Sequence, residues 1–181
     1  MRNTPTLLQL KNLQHNVYTM LDDDWMLVTA GSLESFNTMT ASWGGFGVLW
    51  NKPVAFVFVR PTRHTYQFME RSEVFTLSFF REESRDILQF CGKYSGRDTD
   101  KVKATGLEPL PSPAGSVIFG QSLMALDCRK IYTSDIDPAK FLDSSIQRNY
   151  PAHDYHRMYI GEILSQLSEQ NIAEITTKQP L

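Results

Sequence analysis

Apolar residues along the chain gather into short runs that are typical of β-strands and are separated by glycine, proline and polar residues. The clearest run is Pro53–Val59 (PVAFVFV), whose nearly continuous apolar character predicts a strand covered on both faces. Val74–Phe80 is a second run, in which Thr76 and Ser78 partly alternate with apolar residues. The remaining predicted strands are Trp25–Ser32, Phe36–Trp43, the two halves of Ser116–Thr133 on either side of Gly120, and Met158–Leu164.

Helical periodicity is limited to short segments. Apolar residues within Thr62–Arg71 recur near helical spacing, and Thr62 is the predicted N-cap. Ser84–Lys93 has the pattern of a short amphipathic helix, and Pro138–Leu142 predicts a single helical turn. About six or seven strands with two or three short helices predict a mainly β fold, an antiparallel barrel or sandwich with helical insertions.

Glycine and proline suggest where the chain is irregular. Gly44, Gly45 and Gly47 predict a flexible connection after the second strand, because glycine adopts backbone angles that other residues avoid. Glu108–Gly115 is the best candidate for a linker, but it is too short to establish a domain boundary. With 181 residues, the sequence predicts a single domain over residues 1–181.

Composition narrows the class of protein. The hydrophobic fraction of 41% and the charged fraction of 21% are those of an ordinary globular protein. A net charge of −2 argues against a nucleic-acid partner, whose phosphates require a basic face. Cys91 and Cys128 are too few for a disulfide framework. Met1–Asn12 does not resemble a signal peptide, and no window is apolar enough for a membrane span, so a cytoplasmic location without a membrane partner is predicted by elimination.

Two polar segments carry the candidate chemistry. In Asn37–Trp43 (NTMTASW), hydroxyl side chains recur in steps of two, which places them on one face of a strand. In Arg60–Thr65 (RPTRHT), Arg60 and Arg63 directly follow an apolar strand. Because guanidinium donors match phosphate oxygens and hydroxyls complete the shell, these segments predict an anion site for a phosphorylated small molecule. The alternative is a pair of solvated arginines that bind nearby glutamates.

The predicted helix after Arg60 supports the anion site. A helix N-terminus presents free N–H groups and a partial positive charge to an anion. Arg63 in the first turn would oppose the helix dipole, a local cost that often marks a functional site. Arg97 and Lys101 add two cations on the polar segment SGRDTDK.

The sequence NTMTASWGGFGVLWNKPVAFVFVRPTRHT, followed by SGRDTDK, resembles the flavin reductase family with the FMN-binding split-barrel fold, specifically its flavoredoxin-like branch. The resemblance extends from about Asp23 to Gly161. It implies a homodimeric β-barrel of Greek-key type, with short helices, that binds FMN near the subunit interface.

The resemblance also implies which residues bind the cofactor. The residues expected along the flavin ring and ribityl chain are Met39, Thr40, Ala41, Ser42 and Trp43. The residues expected at the phosphate are Arg60, Arg63 and Thr65, with Ser95 and Lys101 closing over it. No GxGxxG segment indicates a Rossmann-type site, which leaves open whether NADH, NADPH or neither is the electron donor.

Neither a protein-borne catalytic residue nor a metal site is predicted. The chain contains no GxSxG and no HExxH, and flavin chemistry needs the protein mainly for binding and orientation. His153 and His156 are spaced as two ligands on a helix could be, but two histidines alone indicate a metal weakly. They are interpreted as a solvated or packed pair, with a position near the flavin or the dimer interface as the alternative.

Three functions are compatible with these observations. The first is an FMN-dependent oxidoreductase that passes reducing equivalents from NADH or NADPH to a flavin or another small acceptor. The second is an FMN-carrying electron-transfer protein, a flavoredoxin, that is reduced by a redox partner protein. The third is a small-molecule-binding barrel that has lost flavin. The sequence does not distinguish free flavin, ferric complexes, quinones and nitro-compounds as acceptors.

Overall fold

The computed structural model describes residues 10–12 and 15–178. Most of Met1–Asn12, the segment judged unlike a signal peptide, lies outside the described residues. The strands are β1 Met26–Ser32, β2 Ser35–Ala41, β3 Gly44–Leu49, β4 Lys52–Val59, β5 Val74–Phe79, β6 Pro109–Pro111, β7 Val117–Phe119, β8 Met124–Asp135 and β9 Arg157–Ser168. The main α-helices are α1 His64–Arg71, α2 Arg85–Lys93, α3 Lys101–Thr105 and α4 Glu169–Lys178. Other helical turns, of the 3₁₀ or π type, are Thr19–Asp24, Glu82–Ser84, Pro138–Lys140 and Ser144–Asn149.

A seven-stranded antiparallel sheet forms the body of the protein, in the order β2-β1-β5-β8-β9-β4-β3. Strands β2 and β3 are the two ends of this order, yet only Ser42 and Trp43 connect them. The sheet must therefore curl until its ends approach each other, which makes it a barrel. The predicted mainly β barrel with short helices is confirmed.

The long strands β8 and β9 bend as they pair. Their register shifts between Asp127 and Cys128 and again between Lys130 and Tyr132, and such bulges increase the local twist of a strand. Strands β6 and β7 form a separate two-stranded sheet. The buried side chains of the main core include Val28, Val57, Phe75, Leu77 and Tyr159.

Several elements differ from the sequence prediction. Gly44 and Gly45 begin strand β3, so the predicted flexible connection is wrong. A methyl group on Gly44 would lie 2.6 Å from the carbonyl oxygen of Phe56, so glycine is required there by close packing between paired strands. The predicted linker Glu108–Gly115 is also wrong, because it contains β6, whose residues pair with β7.

The ends of other helices and strands also differ from the prediction. Helix α1 begins at His64, and its N-cap is Arg63, whose side chain makes no capping bond, so the prediction of Thr62 as N-cap is wrong. The last strand is longer than predicted, and helix α4, which the sequence analysis missed, follows it. Strand β4 is covered less evenly than predicted, because Phe58 is only half-buried.

None of the helices in the described part of the chain is long and apolar enough to cross a membrane. Helices α1 and α2 pack against strands β1 and β2. This packing brings the N-terminus of α1 and the C-terminus of α2 to the same side of β2, where the predicted site residues lie.

Candidate functional site

Two adjoining cavities lie along strand β2. The aromatic cleft, of about 260 Å³, is lined by Met39, Thr40, Ala41, Ser42, Trp43, Phe58, Arg60, Arg63 and His156. The cationic cavity, of about 100 Å³, is lined by Asn37, Met39, Thr62, Arg63, His64, Thr65, Lys93, Tyr94, Ser95, Gly96 and Lys101. Met39 and Arg63 line both, so the cavities are neighbours. The structure brings every predicted cofactor-binding residue to one or both of them.

Aromatic rings form the wall of the aromatic cleft. The ring centroids of Trp43 and His156 are 5.0 Å apart, and those of Phe58 and His156 are 6.5 Å apart. Trp43, in the two-residue connection between β2 and β3, remains 45% exposed. A flat apolar surface open on one side can therefore receive a planar ring.

His156 is a buried residue of this cleft, and its imidazole is held in place. Its Nδ1 lies 3.0 Å from the hydroxyl of Tyr150. Burial, assisted by the positive charge of Arg60, lowers the pKa of His156 to about 4 against the opposing effect of Asp154. The imidazole is therefore neutral near pH 7.

His153 does not share this site. Its Nδ1 lies 3.1 Å from the hydroxyl of Tyr155, and His153 is exposed. The two histidines thus occupy different environments. Among the described residues, no group of three or more His, Cys, Asp or Glu side chains is placed to hold a metal ion.

Arg60 lies in the aromatic cleft and does not line the cationic cavity. Its guanidinium forms a 2.7 Å ion pair with Asp154 and donates to the carbonyl oxygen of Asn149 at 2.8 Å. It also lies over the ring of Tyr150. Arg63 lines the same cleft, and the expectation that Arg60 shares the phosphate end with Arg63 stays a prediction. Arg60 also attaches the segment before β9 to the rim of the cleft.

The lining of the cationic cavity is positively charged. Arg63, Lys93 and Lys101 line it, and none of the described residues around it is acidic. Arg63 Nη1 donates to the carbonyl oxygen of Gly92 at 2.8 Å. Lys101 Nζ donates to the carbonyl oxygens of Thr38 at 2.7 Å and Cys91 at 2.8 Å. Carbonyl groups at the end of α2 lack helical partners, so they are available to hold these cations.

Burial disfavours the charged forms of Lys101 and Arg63, because each charge loses hydration. Lys101 is only 6% exposed, and burial lowers the pKa of its ammonium group to about 8. Burial also lowers the pKa of Arg63. Two of the three N–H groups of Lys101 donate to carbonyls, which leaves one donor. A buried cation without a full counter-charge favours the binding of an anion.

The N-terminus of α1 adds neutral donors. Its N-cap, Arg63, supplies no side-chain capping bond, and the first helical residues, His64 and Thr65, line the cationic cavity. Tyr66 N–H donates to the carbonyl oxygen of Arg63 at 3.0 Å, whereas the N–H groups of the two residues before it precede the helical bonding pattern and can bind an anion. The Nδ1 atom of His64 is buried without a hydrogen-bond partner. The Thr65 hydroxyl accepts a bond from Asn37 Nδ2 at 2.6 Å, and its own proton can still be donated.

The row of hydroxyls on β2 serves mainly the packing of the fold. Thr29 Oγ1 donates to Thr38 Oγ1 at 2.8 Å inside the sheet, and Thr40 Oγ1 donates to the carbonyl oxygen of Leu88 on α2. Of the three hydroxyls predicted to share an anion-facing surface, Thr40 and Ser42 line the aromatic cleft and Thr38 lines neither of the two cavities.

The lining residues that sequence analysis missed include Asn37, Phe58, His64, Lys93, Tyr94 and Gly96. Asn37 and His64 lie inside the two polar segments that carried the prediction, so their position was a usable signal. Phe58 was assigned wholly to the core because its strand is apolar throughout. Burial alternates along β4, and Phe58 is on the more open face.

Solved structures share this fold at low sequence identity. The FMN-binding protein of Thermus thermophilus with bound 1-cyclohex-2-enone is 19% identical, with a TM-score of 0.64, over 95% of this chain and 83% of that one. Flavoredoxin of Desulfovibrio vulgaris (Miyazaki F) is 22% identical, with a TM-score of 0.63, over 93% and 76% of the two chains. An NADH:FAD oxidoreductase of Streptomyces globisporus C-1027 is 14% identical, with a TM-score of 0.62, over 80% and 75%.

These similarities confirm the FMN-binding split-barrel fold. None of the curated proteins matches this chain. The model of the flavin reductase like domain matches residues 23–174, which include both cavities and every strand of the sheet. The chain therefore belongs to the family of proteins with a flavin reductase like domain.

Proposed function

We propose that the protein binds FMN and works as an oxidoreductase. The observation that carries this proposal is the direct contact between a cleft walled by aromatic rings and a small cavity lined by cations. FMN has the same two parts, a planar ring system and a phosphate, joined by a polar chain. The uncapped start of α1 supplies further donors for a phosphate, and the unpartnered Nδ1 of His64 adds another in the tautomer that protonates it.

Every predicted residue except Arg60 binds FMN directly in this proposal. Arg63, Lys101, Ser95 and the first turn of α1 with Thr65 hold the phosphate. The end of β2, Met39 to Trp43, runs along the ribityl chain and the ring. Arg60 keeps the rim of the cleft in place through Asp154. Bound FMN would supply the hydride and electron chemistry, and the protein contributes binding, orientation and exclusion of water.

The proposed reaction takes reducing equivalents from NADH or NADPH and delivers them to a flavin or another small acceptor. The name of the similar Streptomyces protein, an NADH:FAD oxidoreductase, supports a nucleotide donor. The exposed side of Trp43 leaves the cleft accessible to a small molecule. The second candidate is an electron carrier reduced by a partner protein, which the similarity to a flavoredoxin supports.

Anaerobic titration distinguishes these two functions. NADH or NADPH is added stepwise to the FMN-loaded protein, and the visible absorbance of the flavin is measured after each addition. Loss of absorbance without another protein supports the oxidoreductase. No loss with either nucleotide, together with reduction by dithionite, supports the carrier. A protein that does not take up FMN contradicts both.

A homodimer is also proposed. Exposed apolar side chains lie together near the β3–β4 hairpin, where Trp50 and Tyr132 are 6.0 Å apart and Val48 is 69% exposed. A second copy would cover such a patch, because large exposed apolar surfaces usually mark an interface. The single domain over residues 1–181 and the cytoplasmic location remain predictions from the sequence.

A further inference from the structure

A third cavity lies next to the cationic cavity. This outer cavity, of about 560 Å³, shares three lining residues with the cationic cavity: Asn37, Gly96 and Lys101. The outer cavity is several-fold larger than the cationic cavity. It has no lining residue in common with the aromatic cleft. The three shared residues therefore form a wall between the proposed phosphate site and a space large enough for a nucleotide.

Hydrogen bonds fix this wall. Asn37 is 7% exposed, and its Nδ2 donates to Thr65 Oγ1 at 2.6 Å and to the carbonyl oxygen of Thr38 at 3.3 Å. These bonds set the orientation of the amide, with Oδ1 against Gly96. A methyl group built on Gly96 would lie 1.8 Å from Oδ1, so the backbone of Gly96 and the amide are already in contact. Lys101 is held by its two carbonyl partners.

The charges differ on the two sides of the wall. Cations and, among the described residues, no carboxylate line the proposed phosphate site, whereas Glu34, Asp98 and Asp100 line the outer cavity, where Arg97 and the shared Lys101 offset only part of their negative charge. In FAD, the FMN phosphate is esterified to a second phosphate that carries adenosine. Continuing from the cationic cavity into the outer cavity would place this second phosphate beside the wall and then among carboxylates, where like charges repel.

We propose that the contact between Asn37 and Gly96 makes the site selective for FMN over FAD, because it closes the cationic cavity where the adenylate half of FAD would continue. This inference rests on the proposed binding of FMN phosphate in the cationic cavity. It assigns Asn37 as a specificity-determining residue, separate from the cations that bind the phosphate itself.

A pair of substitutions at Asn37 tests the wall. Asn37→Ala removes the amide and opens a passage, whereas Asn37→Leu loses the same hydrogen bonds but keeps a side chain of similar size. Dissociation constants for FMN, FAD and riboflavin are measured by calorimetry on the full apo-protein. The parent should bind FMN about a hundredfold more tightly than FAD. Asn37→Ala should lower that preference by about tenfold or more, and Asn37→Leu should keep it within about threefold.

Riboflavin separates this inference from the proposed function. It lacks the phosphate, so its affinity should be the same in the parent and both variants. Equal affinity of the parent for FMN and riboflavin would contradict the phosphate site itself. If the parent binds FMN and FAD equally tightly, the phosphate site stands but the role of the wall in selectivity is contradicted. The same conclusion follows if the parent and Asn37→Ala prefer FMN over FAD to the same extent. If Asn37→Ala does not fold, Asn37→Ser opens a similar space. The preference of the parent protein for FMN over FAD tests the proposal without any variant.

Discussion

Arg63 and Lys101 donate hydrogen bonds to the same backbone oxygen, the carbonyl of Cys91, at 3.4 Å and 2.8 Å. This carbonyl lies near the C-terminus of α2, where the helix dipole favours cations. One carbonyl cannot neutralise two charges, and no described acidic residue lines the cavity. The two cations therefore remain available to an anion, and each can be tested separately.

Replacing Arg63 tests the phosphate site. Arg63→Ala should weaken FMN binding about ten- to a hundredfold, because a charged hydrogen bond contributes roughly 1.5–3 kcal/mol. Riboflavin binding should hardly change, and both constants can be measured by titration of the apo-protein. Arg71→Ala is the matched control, because Arg71 is an arginine of the same helix that lines neither cavity. Equal losses for FMN and riboflavin in Arg63→Ala would mean that Arg63 does not bind the phosphate.

Lys101 should make FMN binding depend on pH. Its pKa of about 8 means that the ammonium is charged at pH 7 and mostly neutral above pH 9. Because the phosphate favours the charged form, the dissociation constant for FMN should rise by about tenfold from pH 7 to pH 9.5. Arg63 and Cys91 are the charged or titratable groups that act on this lysine.

Two comparisons isolate the role of Lys101. Riboflavin should show no such rise, since it has no phosphate, and this ligand also reports any ionisation of the flavin ring. Lys101→Met should bind FMN more weakly at pH 7 and lose most of the pH dependence. If the parent and Lys101→Met respond to pH in the same way, another group is responsible.

Much of the fold follows from local pattern, and the exceptions have physical causes. Runs of apolar β residues correctly predicted β4, β5 and β8 because burial in a sheet requires such residues. Glycine was misleading in β3, because its small size serves close packing against Phe56 there and not backbone freedom. Helix α4 was missed because its residues, EQNIAEITTK, have few apolar positions.

The site was predictable to the level of its segments but not of its geometry. The two polar segments do converge, as their residue types indicated. Which residues meet depends on contacts that sequence spacing does not reveal, such as Asn37 with Thr65 or Arg60 with Asp154. The division between the aromatic cleft, which both Arg60 and Arg63 line, and the cationic cavity, which only Arg63 of the two lines, depends on such long-range contacts.

A change in the apolar patch near the β3–β4 hairpin should disrupt the homodimer. Val48→Asp would place a charge among exposed apolar residues that a second copy is expected to cover, so the mass from light scattering should shift from dimer towards monomer. Leu142→Asp is the control, because Leu142 is fully exposed on the segment between β8 and β9. A monomeric mass for the parent at micromolar concentration would contradict the homodimer.

His156 should not act as an acid or base in the reaction. Because burial lowers its pKa to about 4, the imidazole stays neutral from pH 5.5 to 8, and the rate of flavin reduction should show no ionisation near the ordinary histidine value of about 6.5. His156→Ala, saturated with FMN, should retain a reduction rate within about tenfold of the parent, or roughly 1.4 kcal/mol of barrier. Stopped-flow measurements of flavin reduction at several pH values give both the pH dependence and the rate of the variant.

Tyr150→Phe removes the hydroxyl next to Nδ1 of His156 and should also keep a reduction rate close to that of the parent. A loss of about a thousandfold in His156→Ala with FMN still bound would show that a protein acid or base is required, and that binding and orientation are not sufficient.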